Sequence, residues 1–243
     1  MDTIEKYDFS EDEISAVRNR FPKLTLKERG VWEGEIEINA VYNEYLIQDS
    51  FEIQIIANNL YPDEMPVLME IGGRTEDIAD KYQLKDKRSL HYNSVTKVAC
   101  LCVKPREKQY FPTGSNLVIF INDLVTPYLY GLSYFDKNGR WPWGEYGHGI
   151  MGLLECYAEN SIVKDSASIE NLIKTIRREP NWKEYNIQLR KPNSKKNCLC
   201  GLGDRSFEKC HSLAWEGLKE LQQDVLSFGL NPNKLFQIVG GKK

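Results

Sequence analysis

Several features that would each point to a function class are missing from this sequence. No run of about 18 apolar residues occurs, so nothing reads as a membrane span. The opening Met1-Asp2-Thr3-Ile4-Glu5-Lys6 is polar and partly acidic, not the basic-then-apolar pattern of a secretory signal. The net charge is only −3, which excludes a nucleic-acid binder held by bulk charge. There is no glycine-rich phosphate loop leading into a helix, and so no adenylating domain. Internal repeats and low-complexity tracts are absent. Histidine is scarce: His91, His148 and His211 are the only three. A chain without a signal is expected in the cytoplasm. There its six cysteines would be metal ligands, nucleophiles or buried apolar groups rather than disulfides.

What remains is the profile of a globular protein. The 243 residues are 41% hydrophobic and 28% charged, enough for one ordinary core plus a small appendage. Residues 10–21 read as a helix, capped by Ser10, with Glu11, Asp12 and Glu13 at its positive end and Ile14, Val17 and Phe21 on one side. Residues 30–40 alternate in the manner of a strand, and 42–48 and 50–57 read as two further extended segments. Pro62 and Pro66 end that pattern, because proline cannot donate to a ladder. Residues 67–71 make a fourth strand, and 72–99 read as irregular. Leu117, Phe120, Ile121, Leu124 and Tyr128 share a face of a helix over 117–130, capped by Ser115 or Asn116. An aromatic loop over 134–148, helices over 149–160 and 169–178, a basic linker over 190–197 and a last helix over 212–228 complete the reading. The expected fold class is α+β: a four-stranded antiparallel meander flanked by helices, followed by a helical C-terminal region. The expected domains are 1–160, a connector and linker over 161–197, and 198–243.

The densest chemistry lies in 198–211. Cys198, Cys200, Cys210 and His211 offer three thiolates and an imidazole, a complete tetrahedral set for zinc. Glycines between them permit tight turns. With every position of the metal taken by protein, such a zinc is structural. A segment this small has little core of its own, so the metal would largely fold it. The run resembles the SEC-C motif, on Cys198, Cys200, Gly201, Gly203, Phe207, Lys209, Cys210 and His211. Leu202 stands where that motif has serine, and the gap from Cys200 to Cys210 is one residue longer. The resemblance implies a docking or substrate-presenting accessory rather than a reaction.

The second cluster is His91-Tyr92-Asn93, followed by Cys100-Leu101-Cys102. An acyl-accepting cysteine must reach the thiolate and needs a donor for the oxyanion that develops. A carboxamide such as that of Asn93 can be that donor. The alternative is an apolar strand over 98–103 carrying two buried thiols. In a strand Cys100 and Cys102 would face the same side, so either could accept the acyl group, with Cys100 favoured.

The order of helix, meander, Tyr61-Pro62 and Pro66, then His91 and Asn93, then Cys100-Leu101, then helix resembles the ubiquitin-conjugating (UBC) family over about residues 8–160. Tyr92 stands where that family has proline, and the separation from Asn93 to Cys100 is one residue shorter. Phe111 and Pro112 match the aromatic-proline segment that follows the cysteine. With the loop from Trp141 to Gly149, the chain is similar to the bacterial ubiquitin-conjugating-like proteins of CBASS antiphage operons. That resemblance implies a thioester between Cys100 and the C-terminal glycine of a cGAS/DncV-like nucleotidyltransferase. Asn93 would steady the oxyanion, His91 would hold the loop, and His148 would be a base, a gate or only a loop support. Neither nucleic acid nor membrane is implied as a partner, and zinc is the only cofactor. Two other classes stay open. One is a non-catalytic UBC-like module that binds a partner while the zinc segment docks another. The other is a cysteine protease or deconjugase, which would need Cys and His in reach with a carboxylate behind. Cys156, amid Leu153, Leu154 and Tyr157, reads as a small buried hydrophobe. Gly240-Gly241 near the end reads as part of a flexible tail.

Overall fold

The structure, a computed structural model, describes residues 5–201 and 204–236. Leu202, Gly203 and the Gly240-Gly241 pair lie outside the described residues. The chain divides into two compact units, 1–144 and 145–243.

The first unit begins with α1 (Glu11–Arg20). Ser10 Oγ accepts from the Glu13 amide, acids fill the first turn, and Ile14 and Val17 are buried. A four-stranded antiparallel sheet follows in sequence order: β1 (Leu24–Glu28), β2 (Val31–Tyr42), β3 (Tyr45–Ile56) and β4 (Val67–Glu70). β2 and β3 pair along their whole length, from Val31↔Ile56 to Tyr42↔Tyr45. The turn between them is Asn43-Glu44, both at positive φ, as a two-residue hairpin turn demands.

The sheet has the expected four strands, divided differently. The two segments expected at 42–48 and 50–57 form one strand, because polar Asp49 in its middle is held by Arg74 and Ser133. The strand at Leu24–Glu28 was missed; it is short and buries little beyond Leu24. The stretch 72–99, expected to be irregular, contains α2 (Arg74–Lys81) and a 3₁₀ turn, Lys87–Leu90. Gly73 supplies no side-chain cap for α2; Glu70 Oε2 instead accepts from the Thr75 amide at 2.9 Å.

A second 3₁₀ turn (Lys104–Arg106) and α3 (Glu107–Tyr110) lead to a helical run made of α4 (Leu117–Phe120), a π turn (Ile121–Val125) and α5 (Thr126–Asn138). Asn116 Oδ1 caps α4 by accepting from the Ile119 amide. The run extends past 130, so 134–138 is helix rather than aromatic loop. Trp32, Phe51, Ile53 and Leu68 of the sheet join Phe111, Phe120, Leu129 and Trp141 in one core.

The second unit is helical: α6 (Ile150–Ala158), α7 (Ser166–Ile176), α8 (Trp182–Arg190), α9 (Phe207–Cys210), α10 (Ser212–Ser227) and α11 (Pro232–Leu235). α6 packs in the core of this unit, so the division falls before the boundary expected at 160. α8 has no counterpart among the expected helices, and its last residue, Arg190, falls at the start of the expected linker. α6 and α10 approach closely: a Cβ on Gly217 would lie 1.9 Å from the Leu154 carbonyl oxygen. Cys156 is fully buried. Among the described residues, no helix is long and apolar enough to cross a membrane.

Candidate metal centre and cysteine hairpin

The segment carrying the metal ligands folds as a small antiparallel hook. Asn197 bridges Ser206, the Cys198 amide donates to the Arg205 carbonyl, and the Phe207 amide donates to the Lys196 carbonyl. Gly201, at φ 73°, supplies a left-handed turn just after Cys200. Phe207 then buries completely in the core of the second unit, which fixes α9 and delivers Cys210 and His211 at its end.

The four ligand atoms lie within 4.8 Å of one another. Cys200 Sγ and Cys210 Sγ are 3.8 Å apart, and Cys198 Sγ is 3.3 Å from His211 Nδ1. Zinc–sulfur bonds of about 2.3 Å in a tetrahedron give sulfur–sulfur edges of about 3.8 Å. The donor set and spacing fit a structural zinc, with Nδ1 as the imidazole ligand atom. Burial pushes the Cys198 thiol up to about 12 and raises that of Cys210, while burial lowers His211. The imidazole lone pair is therefore available at neutral pH, and the thiols surrender their protons when a cation replaces them.

The support around His211 was not visible in the sequence. A Cβ on Gly147 would lie 3.1 Å from His211 Cδ2, 3.3 Å from Nε2 and 2.6 Å from Met151 Cβ. The Gly147 amide donates to buried Glu155, whose carboxyl burial raises. The glycine of the aromatic loop thus packs against a metal ligand. The neighbouring His148, expected as a gate or base, is half-buried in this second unit.

In the first unit, residues 91–100 form a short hairpin. Tyr92 bridges Ala99, the Asn93 amide donates to the Val98 carbonyl, and the Cys100 amide donates to the His91 carbonyl at 2.7 Å. The hairpin rests on β4 through the Ala99 amide, which donates to the Leu68 carbonyl, and through a Met69–Val98 bridge. The His-x-Asn tripeptide and Cys100 therefore lie side by side on two arms of one element. His91 adopts a left-handed conformation, and its ring lies tilted against Trp141, with centroids 4.9 Å apart. Trp141 in turn donates from Nε1 to the Ser89 carbonyl. Asn93 Oδ1 accepts from the Val95 and Thr96 amides, so this part of the carboxamide closes the turn.

Cys100 is solvent-exposed and Cys102 partly so. The protein packed around the Cys100 sulfur still raises its thiol, and Sγ lies 3.7 Å from the Cys102 carbonyl oxygen. Cys102 is pushed up to about 12 by burial and by Glu107. Residues 100–102 are not a strand, so the expectation that both thiols face one side by strand alternation has no basis in the backbone.

Tyr92, at the proline position of the resembled tripeptide, is almost fully buried and donates to Glu76 Oε1 at 2.8 Å. Glu76 also pairs with Lys87 and Lys97. None of these contacts had a sequence signal beyond the replaced proline.

Fold and site define an α+β unit with a four-stranded meander, followed by a helical unit that carries a Cys3His zinc cluster. No protein-family model, curated protein or solved structure matches the chain.

Proposed function

We propose that the chain is a cysteine-dependent acyl transferase of ubiquitin-conjugating type, using Cys100. The observation that carries this reading is the hairpin in which an exposed cysteine is backbone-bonded to the histidine of a His-x-Asn tripeptide. In the proposed step, Cys100 Sγ loses its proton to a base and attacks the carbonyl carbon of a partner's C-terminal glycine. That glycine arrives as an activated ester or mixed anhydride. The activating group leaves with the electron pair, and a thioester remains. Asn93 Nδ2 is the side-chain donor for the oxyanion. The partner is a cGAS/DncV-like nucleotidyltransferase of antiphage defence, and the zinc unit serves as its docking accessory. Both assignments rest on the resemblance of the motifs.

A second reading, a UBC-like module that binds without catalysis, is favoured by one feature. Neither thiol is poised as a thiolate, because the surroundings of Cys100 and Cys102 raise both.

Co-expression with the candidate nucleotidyltransferase, followed by intact mass measurement, separates the two readings. An adduct of partner mass that hydroxylamine removes, present with Cys102→Ala but lost with Cys100→Ala, establishes the transferase. Partner binding without adduct in all three proteins establishes the module.

A further inference from the structure

We infer that Tyr92 and Glu76 are positioning residues: they clamp the hairpin that bears Cys100 to α2 and so set the environment of its sulfur. The inference rests on Cys100 being the reactive thiol of the proposed transferase, and it concerns how that site is held.

The two arms of the hairpin are anchored differently. The arm that ends in Cys100 is bound through backbone, Ala99 to Leu68 and Val98 to Met69. The arm that carries His91 and Asn93 is bound through a side chain, the Tyr92 hydroxyl on Glu76. Glu76 is gripped from two further directions, by Lys87 from the 3₁₀ turn before the hairpin and by Lys97 from the hairpin itself. Lys97 also places its ammonium 5.4 Å from the Tyr92 ring centre, which closes a triangle of tyrosine, carboxylate and lysine. One α2 carboxylate therefore collects both arms, since Tyr92 and Lys97 lie on opposite sides of the turn. The site needs such a clamp. Proline stiffens the resembled tripeptide by fixing φ, and tyrosine has no such constraint. Here a side-chain tether takes the place of a backbone one.

The sulfur feels the result. The Cys100 thiol is raised by the protein packed around it, while Glu107, Lys104 and Arg106 on the following segment act on Cys102. A hairpin released from α2 loosens the protein packed against one side of the already exposed sulfur, and the thiol falls toward its ordinary value.

The test is site-resolved alkylation of Cys100 by N-ethylmaleimide across a pH series, read by peptide mass spectrometry. Wild type is compared with Tyr92→Phe, which keeps the ring and loses the hydroxyl, and with Glu76→Gln, which keeps an acceptor and loses the charge. The midpoint of the rate profile should fall toward the ordinary thiol range in both, with correspondingly faster alkylation at neutral pH. Alkylation of Cys210 in the metal-loaded protein should not change. Lys97→Gln, on an exposed side chain, should move the midpoint the same way, and it decides the matter where Tyr92→Phe fails to fold. Midpoints equal to wild type in the folded variants overturn the clamp. Shifted midpoints in a protein that never forms a partner adduct overturn the transferase and leave the clamp standing.

Discussion

The amide of Cys100 donates to the carbonyl of His91 at 2.7 Å, so the eight residues between them close into one hydrogen-bonded hairpin. That pairing exposes Cys100 while Cys102 stays half-covered beside Glu107. It predicts an order of reactivity. At mildly alkaline pH, maleimide should label Cys100 several-fold faster than Cys102, since nucleophilicity follows the thiolate fraction and Cys102 is pushed up to about 12. Peptide mapping of a brief labelling reaction reads the ratio. Equal labelling, or Cys102 first, contradicts the described environment.

The metal cluster predicts one zinc per chain, measured by native mass spectrometry. Phe207, Cys198 and Trp215 belong to one buried core, so metal loss reaches beyond the hook itself. Binding to small zinc modules contributes on the order of 10 kcal/mol. Chelation or Cys210→Ser should therefore lower the melting temperature of the second unit by many degrees. An unchanged melt with the metal removed would sink the structural role.

Gly147→Ala should weaken zinc binding by roughly tenfold, the low end of what an outer-shell change costs. The new methyl meets the His211 ring and Met151 at once. Competition with a chromogenic chelator measures the affinity, and wild-type affinity in the variant would show that the ring is free to yield.

Gly217→Ala tests the crossing of α6 and α10. Alanine is better than glycine in a helix by about 1 kcal/mol, but forcing atoms into a packed contact costs about 1–3 kcal/mol and more where backbone must move. With the Leu154 carbonyl oxygen 1.9 Å from the added carbon, the clash wins and the variant should lose stability. Gly144→Ala, with nothing within 4 Å, is the control and should stay within about 0.5 kcal/mol of wild type. A stabilised Gly217→Ala would refute the close approach.

Acid should loosen the first unit. Burial alone would raise the Asp49 carboxyl, but Arg74, Ser133 and the Ser50 amide outweigh it and hold it below its usual range. Lys87, Lys97 and Tyr92 hold Glu76 down to about 2. Groups lowered in the folded state give their full stabilisation above the ordinary carboxylate range and lose it as pH falls through the folded value. Hydrogen exchange at β3 amides should therefore quicken as pH drops from about 5 toward about 2, after correction for intrinsic rates. Asp49→Asn should cost about 1–3 kcal/mol at neutral pH and flatten that response. An unaltered pH response in Asp49→Asn would remove Asp49 from the account.

The sequence carried unequal amounts of this. The metal ligands were legible because tetrahedral zinc fixes donor type and number, and four donors fall within 14 residues. The meander was legible as a class, since alternation and proline breaks are local. Its division was not: Gln48-Asp49-Ser50 reads as a break until Arg74, far along the chain, neutralises Asp49 in mid-strand. A different cause hid α2: its N-terminus is capped by Glu70 from the preceding strand rather than by a serine or aspartate at the cap position. The His-x-Asn and Cys elements were visible as a spacing, but not the hairpin that pairs them. Tyr92 gave no hint that its hydroxyl would find Glu76. In each of these cases the deciding contact is one that local periodicity and capping patterns do not record.

The hairpin also bears on how chains behave toward one another. β4 pairs with β3 along one side, and on the other side the Leu68 carbonyl and Met69 are engaged by Ala99 and Val98. The hairpin thus guards a sheet margin that would otherwise present open backbone groups to any passing strand. Whatever swings it outward uncovers that margin and carries the thiol with it, so the setting of Cys100 and the protection against self-association depend on one element.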